Sequence, residues 1–192
     1  MDSAYTFTVS ITATALQIII AIFITSVIAL LIFILLHKNQ KNKNVKFKKV
    51  KVHRILDGDT AIVNTGWRKL VIRLDSIDCP EGEQYWGDNA KYGLIKLIGG
   101  REIFLELHGK DRYKRKVATI YVKQQGKEEL LNVNTKMVTL GHAWVYRQYY
   151  DHLPSYRRQE LDRIEKWARN NKIGMWQHNP TPPWVWRRQN KL

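Results

Sequence analysis

The sequence predicts a mainly β domain of the α+β class, a five-stranded barrel with about three helices, preceded by one transmembrane helix. Three observations lead to this prediction. An uncharged apolar run lies near the N-terminus, five segments with strand patterns follow it, and helical periodicity appears between and after those segments. A chain of 192 residues has room for one ordinary domain behind the apolar run.

The apolar run covers residues 15–36 and contains no charged side chain. A helix of this length rises roughly 33 Å, which spans the ~30 Å hydrocarbon core of a bilayer. A cleaved signal peptide is the alternative, but it would need a basic flank, a shorter run and a small-residue cleavage site. The flank at residues 1–14 has no basic residue, and the run ends in Leu35-Leu36-His37-Lys38. We therefore expect residues 15–36 to form a single uncleaved anchor that contacts the membrane.

All 32 Lys and Arg residues follow His37, and the whole chain has a net charge of +15. We expect a basic linker at residues 37–44, a folded domain at 45–176 and a tail rich in Pro, Trp and Arg at 177–192. The positive-inside rule would keep the domain in the cytoplasm, but the same lysines suit a polyanion-binding surface, so the side of the membrane stays open. Such a basic body indicates nucleic acid or an anionic membrane as partner. No obligatory protein partner is evident.

The barrel is predicted from the order of its elements. Strand patterns occur at residues 45–56, 60–63, 67–74, 101–107 and 117–122. Helical patterns occur at residues 88–98, at about 132–140 and at 155–172, the last with Ser155 as its expected cap. Three strands, a helix and two more strands is the order of an OB barrel, which binds oligonucleotides on its strands and loops. The Pro and Trp of the tail predict an extended strap over the barrel.

Two loops carry more acids than their turns require. Asp-Gly between strands is a common hairpin signal, so Asp57 has a structural explanation that Asp59 lacks. The loop after the third strand packs Asp75, Asp78 and Glu81 into seven residues. Clustered carboxylates repel one another unless a cation neutralises them, although for this segment taken alone a solvated acidic loop is the favoured explanation. Oxygen ligands on loops suit a hard cation such as Ca²⁺ rather than zinc.

The third loop, at residues 110–116, is either a solvated basic turn or a phosphate clamp built from arginines. Together the three loops could hydrolyse a phosphodiester, which needs a metal ion, cations that stabilise the transition state, and a base for the attacking water. Asp59 and Asp78 can supply the metal site, Arg73 and Arg115 the positive charge, and Glu81 the base.

The body resembles the staphylococcal nuclease (thermonuclease) family over about residues 50–176, as a membrane-anchored member of bacterial type. The first motifs that carry the resemblance are Leu56-Asp57-Gly58-Asp59-Thr60, Arg73-Leu74 with Ile77-Asp78-Cys79-Pro80-Glu81, and Asp111-Arg112-Tyr113-Lys114-Arg115. The later ones are Leu131-Asn132, Gly141-His142-Ala143 and Gly174-Met175-Trp176. The resemblance implies an OB barrel and a Ca²⁺-dependent nuclease acting on DNA and RNA with little sequence preference; Mg²⁺ and Mn²⁺ stay open as its metal.

By matching position, the resemblance implies that Asp59 and Asp78 bind the metal through carboxylates and Cys79 through its backbone carbonyl. Asp57 would contact these ligands rather than the metal itself. The remaining implied residues act on substrate: Arg73 and Arg115 on the scissile phosphate, Glu81 on the attacking water, and Arg112 and Tyr113 on further parts of the nucleic acid.

Lys114 departs from the family pattern, which usually has Gly there. If the position needs a positive φ, Lys costs roughly 1 kcal/mol or more and could displace Arg115. The alternative function is a catalytically silent OB module that tethers nucleic acid to a membrane, although the retained acids and arginines argue against it. Zinc chemistry is not predicted, because one Cys and six His form no ligand pair of zinc spacing, and we expect His108 at the surface.

Overall fold

The computed structural model describes residues 16–34 and 46–190, in two compact units divided between Val45 and Lys46. The N-terminal flank, both ends of the predicted anchor and the linker at 37–44 lie outside these residues. Helix α1 (Leu16–Ile34) has 19 residues and a mean hydropathy of 2.9. It is long and apolar enough to cross a membrane, a property that a signal sequence shares.

The second unit contains the five predicted strands. Among its described residues these are β1 (Lys48–Ile55), β2 (Thr60–Asn64), β3 (Lys69–Leu74), β5 (Glu102–Lys110) and β6 (Lys116–Lys123). Three short strands were not predicted: β4 (Ile77–Asp78), β7 (Leu130–Asn132) and β8 (Trp144–Val145). Strands this short carry too few residues to show a period of two.

The long strands close into a barrel. Their order is β3-β2-β1-β5-β6-β7, and a parallel pairing of β3 with β6 joins the two sides of the sheet. The alternating apolar residues that predicted the strands fill its core, because successive strand side chains face opposite sides. Ile72 and Leu74 of β3 and Ile103 and Leu105 of β5 are all fully buried. The predicted OB barrel is therefore confirmed.

The three predicted helices are confirmed as α2 (Gly87–Ile98), α3 (Val133–Thr139) and α4 (Ser155–Asn170). The prediction of Ser155 as a cap is wrong, because Ser155 is the first helical residue and no side chain caps α4. The tail prediction is also wrong in part, since Pro183–Gln189 forms a fifth helix, α5. Pro183 is its first residue, a position where the fixed φ of Pro favours a helix and its missing N–H costs nothing.

Helix α4 helps to position Asp78, one of the predicted site residues, through the short strands β8 and β4. Glu165, 3% exposed, accepts a hydrogen bond from the Val145 amide at 2.9 Å. Val145 belongs to β8, which pairs antiparallel with β4, so that Asp78 lies opposite Trp144. A buried carboxylate on a helix thus fixes the strand pair that carries Asp78.

Candidate active site

One cavity of about 540 Å³ lies at the edge of the barrel. Nine residues that the sequence singled out line it together: Asp57, Asp59, Arg73, Asp78, Cys79, Glu81, Arg112, Tyr113 and Arg115. They come from the β1–β2 turn, from β3 and the segment behind it, and from the β5–β6 loop. The fold therefore brings the three loops to one place.

Arg73 joins two of these loops. Its Nη2 donates to Asp78 Oδ1 at 2.8 Å and lies 3.3 Å from Asp59 Oδ2. Its Nη1 donates to the carbonyl oxygens of Leu74 and Ile77, which fixes the plane of the guanidinium. The side chain is only 12% exposed, so the two carboxylates and the arginine form a buried charged group.

The β1–β2 turn reaches the next loop by close backbone packing. The Cys79 amide donates to Asp59 Oδ2 at 2.9 Å, and the Asp59 amide donates to Asp57 Oδ1 at the same distance. Gly58 makes the approach possible, because a Cβ there would lie 2.7 Å from Cys79 Cβ and 2.8 Å from Ala90 Cβ. Glycine at this turn thus has a packing reason beyond the hairpin that it signals.

The carboxylates lie in an environment that opposes their ionisation. Burial, followed by the neighbouring Asp59, raises the pKa of Asp57 to about 7. Burial raises the pKa of Asp78 to about 6, although Arg73 acts in the opposite direction. Burial alone would lower the pKa of Arg73, but Asp59 and Asp78 outweigh it and raise that pKa. Burial is therefore the main force against ionisation of both carboxyl groups, and a cation bound beside them would favour their charged forms.

These residues fit a hard divalent cation. The donors are carboxylate oxygens of Asp59 and Asp78, with the backbone of Cys79 held against Asp59 by its amide. Only oxygen donors are offered by this set, because the Cys79 thiol is buried and burial raises its pKa well above the usual range. We call Asp57, Asp59, Asp78 and Glu81 the acidic cluster.

The β5–β6 loop folds around Asp111. Its carboxylate accepts hydrogen bonds from the amides of Tyr113 and Arg115 and from Arg115 Nε, the last at 2.7 Å. Arg115 Nη1 donates to Thr60 Oγ1 at 3.3 Å, which places the guanidinium beside the acidic cluster. The Arg112 guanidinium lies over the Tyr113 ring, 4.8 Å from its centroid.

Lys114 has a φ of +63°, so the backbone at this position does require the left-handed conformation that glycine adopts freely. Arg115, the next residue, lines the cavity and contacts Thr60.

The sequence analysis missed Arg187, which α5 carries into the cavity. Its Nη2 donates to Asp78 Oδ2 at 2.7 Å, and its Nη1 donates to Glu81 Oε1 at 2.6 Å. Trp184 of the same helix stacks on Tyr146 with ring centroids 5.5 Å apart and planes 4° from parallel. The tail composition was the only sequence signal, because Arg187 is more than a hundred residues away from its partners along the chain.

A second group that could hold a metal lines the same cavity and consists of Asp75, His108 and His152. We call it the histidine cluster. The prediction that His108 lies at the surface is wrong, since its side chain is 13% exposed and its Nε2 lies 2.9 Å from Thr119 Oγ1. Asp75 was visible in the sequence as a third acid of its loop, but its partners lie on distant segments.

Comparison with known proteins agrees with this geometry. The family described as "Staphylococcal nuclease homologue" matches residues 71–178. An uncharacterized endonuclease of Haemophilus influenzae is 38% identical over 144 residues, which cover 74% of each chain. The micrococcal nuclease of Shigella flexneri is 36% identical over 145 residues, 73% of this chain and 81% of the relative.

An uncharacterized endonuclease of Escherichia coli O157:H7 is 35% identical over 138 residues, 71% of this chain and 83% of the relative. Family match, identity and coverage agree with a barrel whose cavity gathers acids and arginines. The chain belongs to the staphylococcal nuclease family, and it is a nuclease that hydrolyses phosphodiester bonds.

Proposed function

We propose that this nuclease is a membrane-anchored, Ca²⁺-dependent enzyme that cleaves DNA and RNA with little sequence preference. Asp59, Asp78 and the Cys79 carbonyl would hold the cation. The Asp57 carboxylate, which accepts a hydrogen bond from the Asp59 backbone amide, would hold Asp59 in position. Arg73 and Arg115 would bind the scissile phosphate. A clamp on phosphate carries no base information, which is the reason for low sequence preference.

The convergence of Asp59 and Asp78 on a single guanidinium nitrogen of Arg73 is the observation that carries this proposal. Two carboxylates from different loops thus face one point, as a shared cation requires. Arg73, which would bind the phosphate, borders both carboxylates, so cation and phosphate would be neighbours. Oxygen donors on loops favour Ca²⁺ among divalent ions, because Ca²⁺ accepts irregular oxygen coordination.

The protein side chains would divide the chemistry between them. A divalent cation, when bound, polarises a phosphoryl oxygen. Glu81, with its side chain 33% exposed, would accept the proton of the attacking water. Arg73 and Arg115 would donate hydrogen bonds to the phosphate oxygens, on which negative charge accumulates in the transition state. Arg112 and Tyr113, which line the cavity from the β5–β6 loop, would contact the neighbouring nucleotide.

Arg187 would have to leave the site when the cation binds. It now contacts both carboxylate oxygens of Asp78 and one of Glu81, and a guanidinium cannot itself act as a metal ligand. The ion pairs of Arg187 therefore compete directly with the cation for Asp78.

Digestion of supercoiled plasmid by the full chain in detergent micelles tests the metal requirement. We expect nicked and linear products with Ca²⁺ and intact plasmid with EGTA, with activity restored by excess Ca²⁺. Equal cleavage in both lanes would contradict calcium dependence. Replacement of Ca²⁺ by Mg²⁺ or Mn²⁺ in the same assay separates the three ions.

The anchor needs its own test. Helix α1 supports it by length and apolarity alone, since 19 residues rise about 28 Å as a helix. We expect the full chain to stay in the membrane pellet after alkaline carbonate extraction, with its N-terminal segment intact by mass spectrometry. A released protein that lacks this segment would identify a cleaved signal peptide instead. Protease protection of intact cells then reports which side the nuclease faces.

A further inference from the structure

We propose that the histidine cluster is a second metal site, selective for a zinc-type transition metal ion and separate from the acidic cluster. Asp75 Oδ2, His108 Nε2 and His152 Nε2 would be its three protein ligands. The inference goes beyond the proposed nuclease chemistry, because none of the three residues has a role in that chemistry.

The ligand atoms already lie close to coordination distance from a common point. Asp75 Oδ2 is 2.9 Å from His152 Nε2 and 3.7 Å from His108 Nε2, and one possible ligand atom from each of the three residues lies within 4.8 Å of the other two. A tetrahedral ion with bonds of 2.0–2.1 Å keeps its ligands about 3.3 Å apart. The two distances to Asp75 bracket this value, so metal binding would need small ring rotations and transfer of the His152 proton from Nε2, which now faces Asp75, to Nδ1.

Asp75 is held in place by the fold. It is 3% exposed, its amide donates to the Ala118 carbonyl at 2.9 Å, and its own carbonyl accepts from Asn134 Nδ2 at 2.9 Å. Ser76 Oγ donates to Asp75 Oδ2, the oxygen that faces the two imidazoles. Outer hydrogen bonds of this kind orient a ligating carboxylate and raise metal affinity.

The three ligands come from three separate segments. Asp75 follows β3, His108 lies on β5, and His152 precedes α4. A bound ion would therefore join the barrel to the segment that leads into α4. His108 would exchange its present hydrogen bond with Thr119 Oγ1 for a bond to the metal, and the hydroxyl could then turn to another acceptor.

The donor chemistry selects the ion. Two imidazole nitrogens and one carboxylate suit Zn²⁺ and similar transition metals, whereas Ca²⁺ and Mg²⁺ prefer oxygen donors throughout. His152 is 42% exposed and lines the cavity, so the fourth coordination position would open to water. The alternative explanation is a purely structural network in which His152 hydrogen-bonds Asp75 and His108 hydrogen-bonds Thr119.

Calorimetry on the full chain separates these explanations. The protein is purified in detergent without a polyhistidine tag, stripped with EDTA, dialysed and titrated with Zn²⁺ in the presence of excess Ca²⁺. We expect one Zn²⁺ per chain. His152→Asn and His108→Asn should each weaken binding by about 100-fold, since loss of a ligand costs at least as much as loss of an outer partner. His152 is the preferred target because its side chain is 42% exposed and therefore contributes little to the packed core.

Two controls make the result specific. His53→Asn removes an exposed histidine of β1 and should leave Zn²⁺ binding unchanged, as should Asp78→Asn in the acidic cluster. Substitution by Co²⁺ should give visible absorption bands of a tetrahedral site that disappear in His152→Asn. No saturable binding, retention of wild-type affinity in both histidine variants, or loss of binding in Asp78→Asn would each overturn the proposal.

Discussion

The acidic cluster and the histidine cluster line the same cavity but differ in the groups that compensate their buried carboxylates. Arg73 and Arg187 compensate the acidic cluster, and a guanidinium has no lone pair to offer a metal. Two imidazoles face Asp75 in the histidine cluster, and a neutral imidazole becomes a ligand once the nitrogen that faces the carboxylate has given up its proton to the other ring nitrogen. Cation binding therefore requires displacement of Arg187 in one cluster, and in the other only small ring rotations with a shift of the imidazole proton.

The largest expected effect is on turnover, in a variant of Glu81 in the acidic cluster. Glu81→Gln keeps the size of the side chain but removes its basicity, so we expect kcat to fall about 100- to 10,000-fold with KM nearly unchanged. Steady-state cleavage of a fluorescent oligonucleotide measures both constants. Glu83→Gln, at an exposed position two residues away, is the matched control. Wild-type turnover in Glu81→Gln would remove Glu81 from the mechanism.

Gly58→Ala should disturb the acidic cluster through packing. The new Cβ would meet Cys79 and Ala90, and overpacking of this kind costs about 1–3 kcal/mol of the free energy of unfolding. Urea unfolding of the full chain measures the loss, and the Ca²⁺ needed for half-maximal activity should rise. Gly82→Ala is the control, because nothing lies within 4 Å of a Cβ there. Equal stability of the two variants would contradict the close packing at Gly58.

Arg187→Ala tests the competition at Asp78 and Glu81. Removal of a partly buried charged partner should lower the Ca²⁺ concentration for half-maximal activity by about tenfold, which corresponds to about 1.4 kcal/mol. Titration of nuclease activity with Ca²⁺ measures the change. Arg188→Ala loses the same charge from an exposed position and should behave as wild type. Weaker Ca²⁺ activation of Arg187→Ala would instead assign Arg187 a supporting role.

The smallest effect concerns the loop that carries Arg115. Lys114→Gly should stabilise the protein by about 0.5–1 kcal/mol, because relief of the positive φ outweighs the greater entropy that glycine adds to the unfolded chain. Urea unfolding at fixed pH measures it. Lys114→Ala retains the backbone strain and removes the charge, so it should not stabilise the protein. A gain of the same size in Lys114→Ala would indicate a charge effect instead.

Local patterns in the sequence, together with the family motifs, predicted the barrel and most of the acidic cluster. Alternation in residues such as Ile72, Leu74, Ile103 and Leu105 places apolar side chains on one face of a strand, because the side-chain period of a strand is two. The acids and arginines stand out because short turns do not need them. The spacing of these residues within each loop is visible in the sequence, even though the sequence does not show that the three loops lie close together in the fold.

The sequence by itself determined the apolar N-terminal segment, the order of the barrel elements and the motifs of the nuclease family. Only the tertiary structure decided that Arg187 enters the site and that Asp75 faces His108 and His152. These groupings depend on where α5 docks and on how β5 and the segment before α4 approach the turn after β3. Contacts between such distant segments leave no periodic signal in the chain, because they arise from packing of finished elements rather than from local backbone preference.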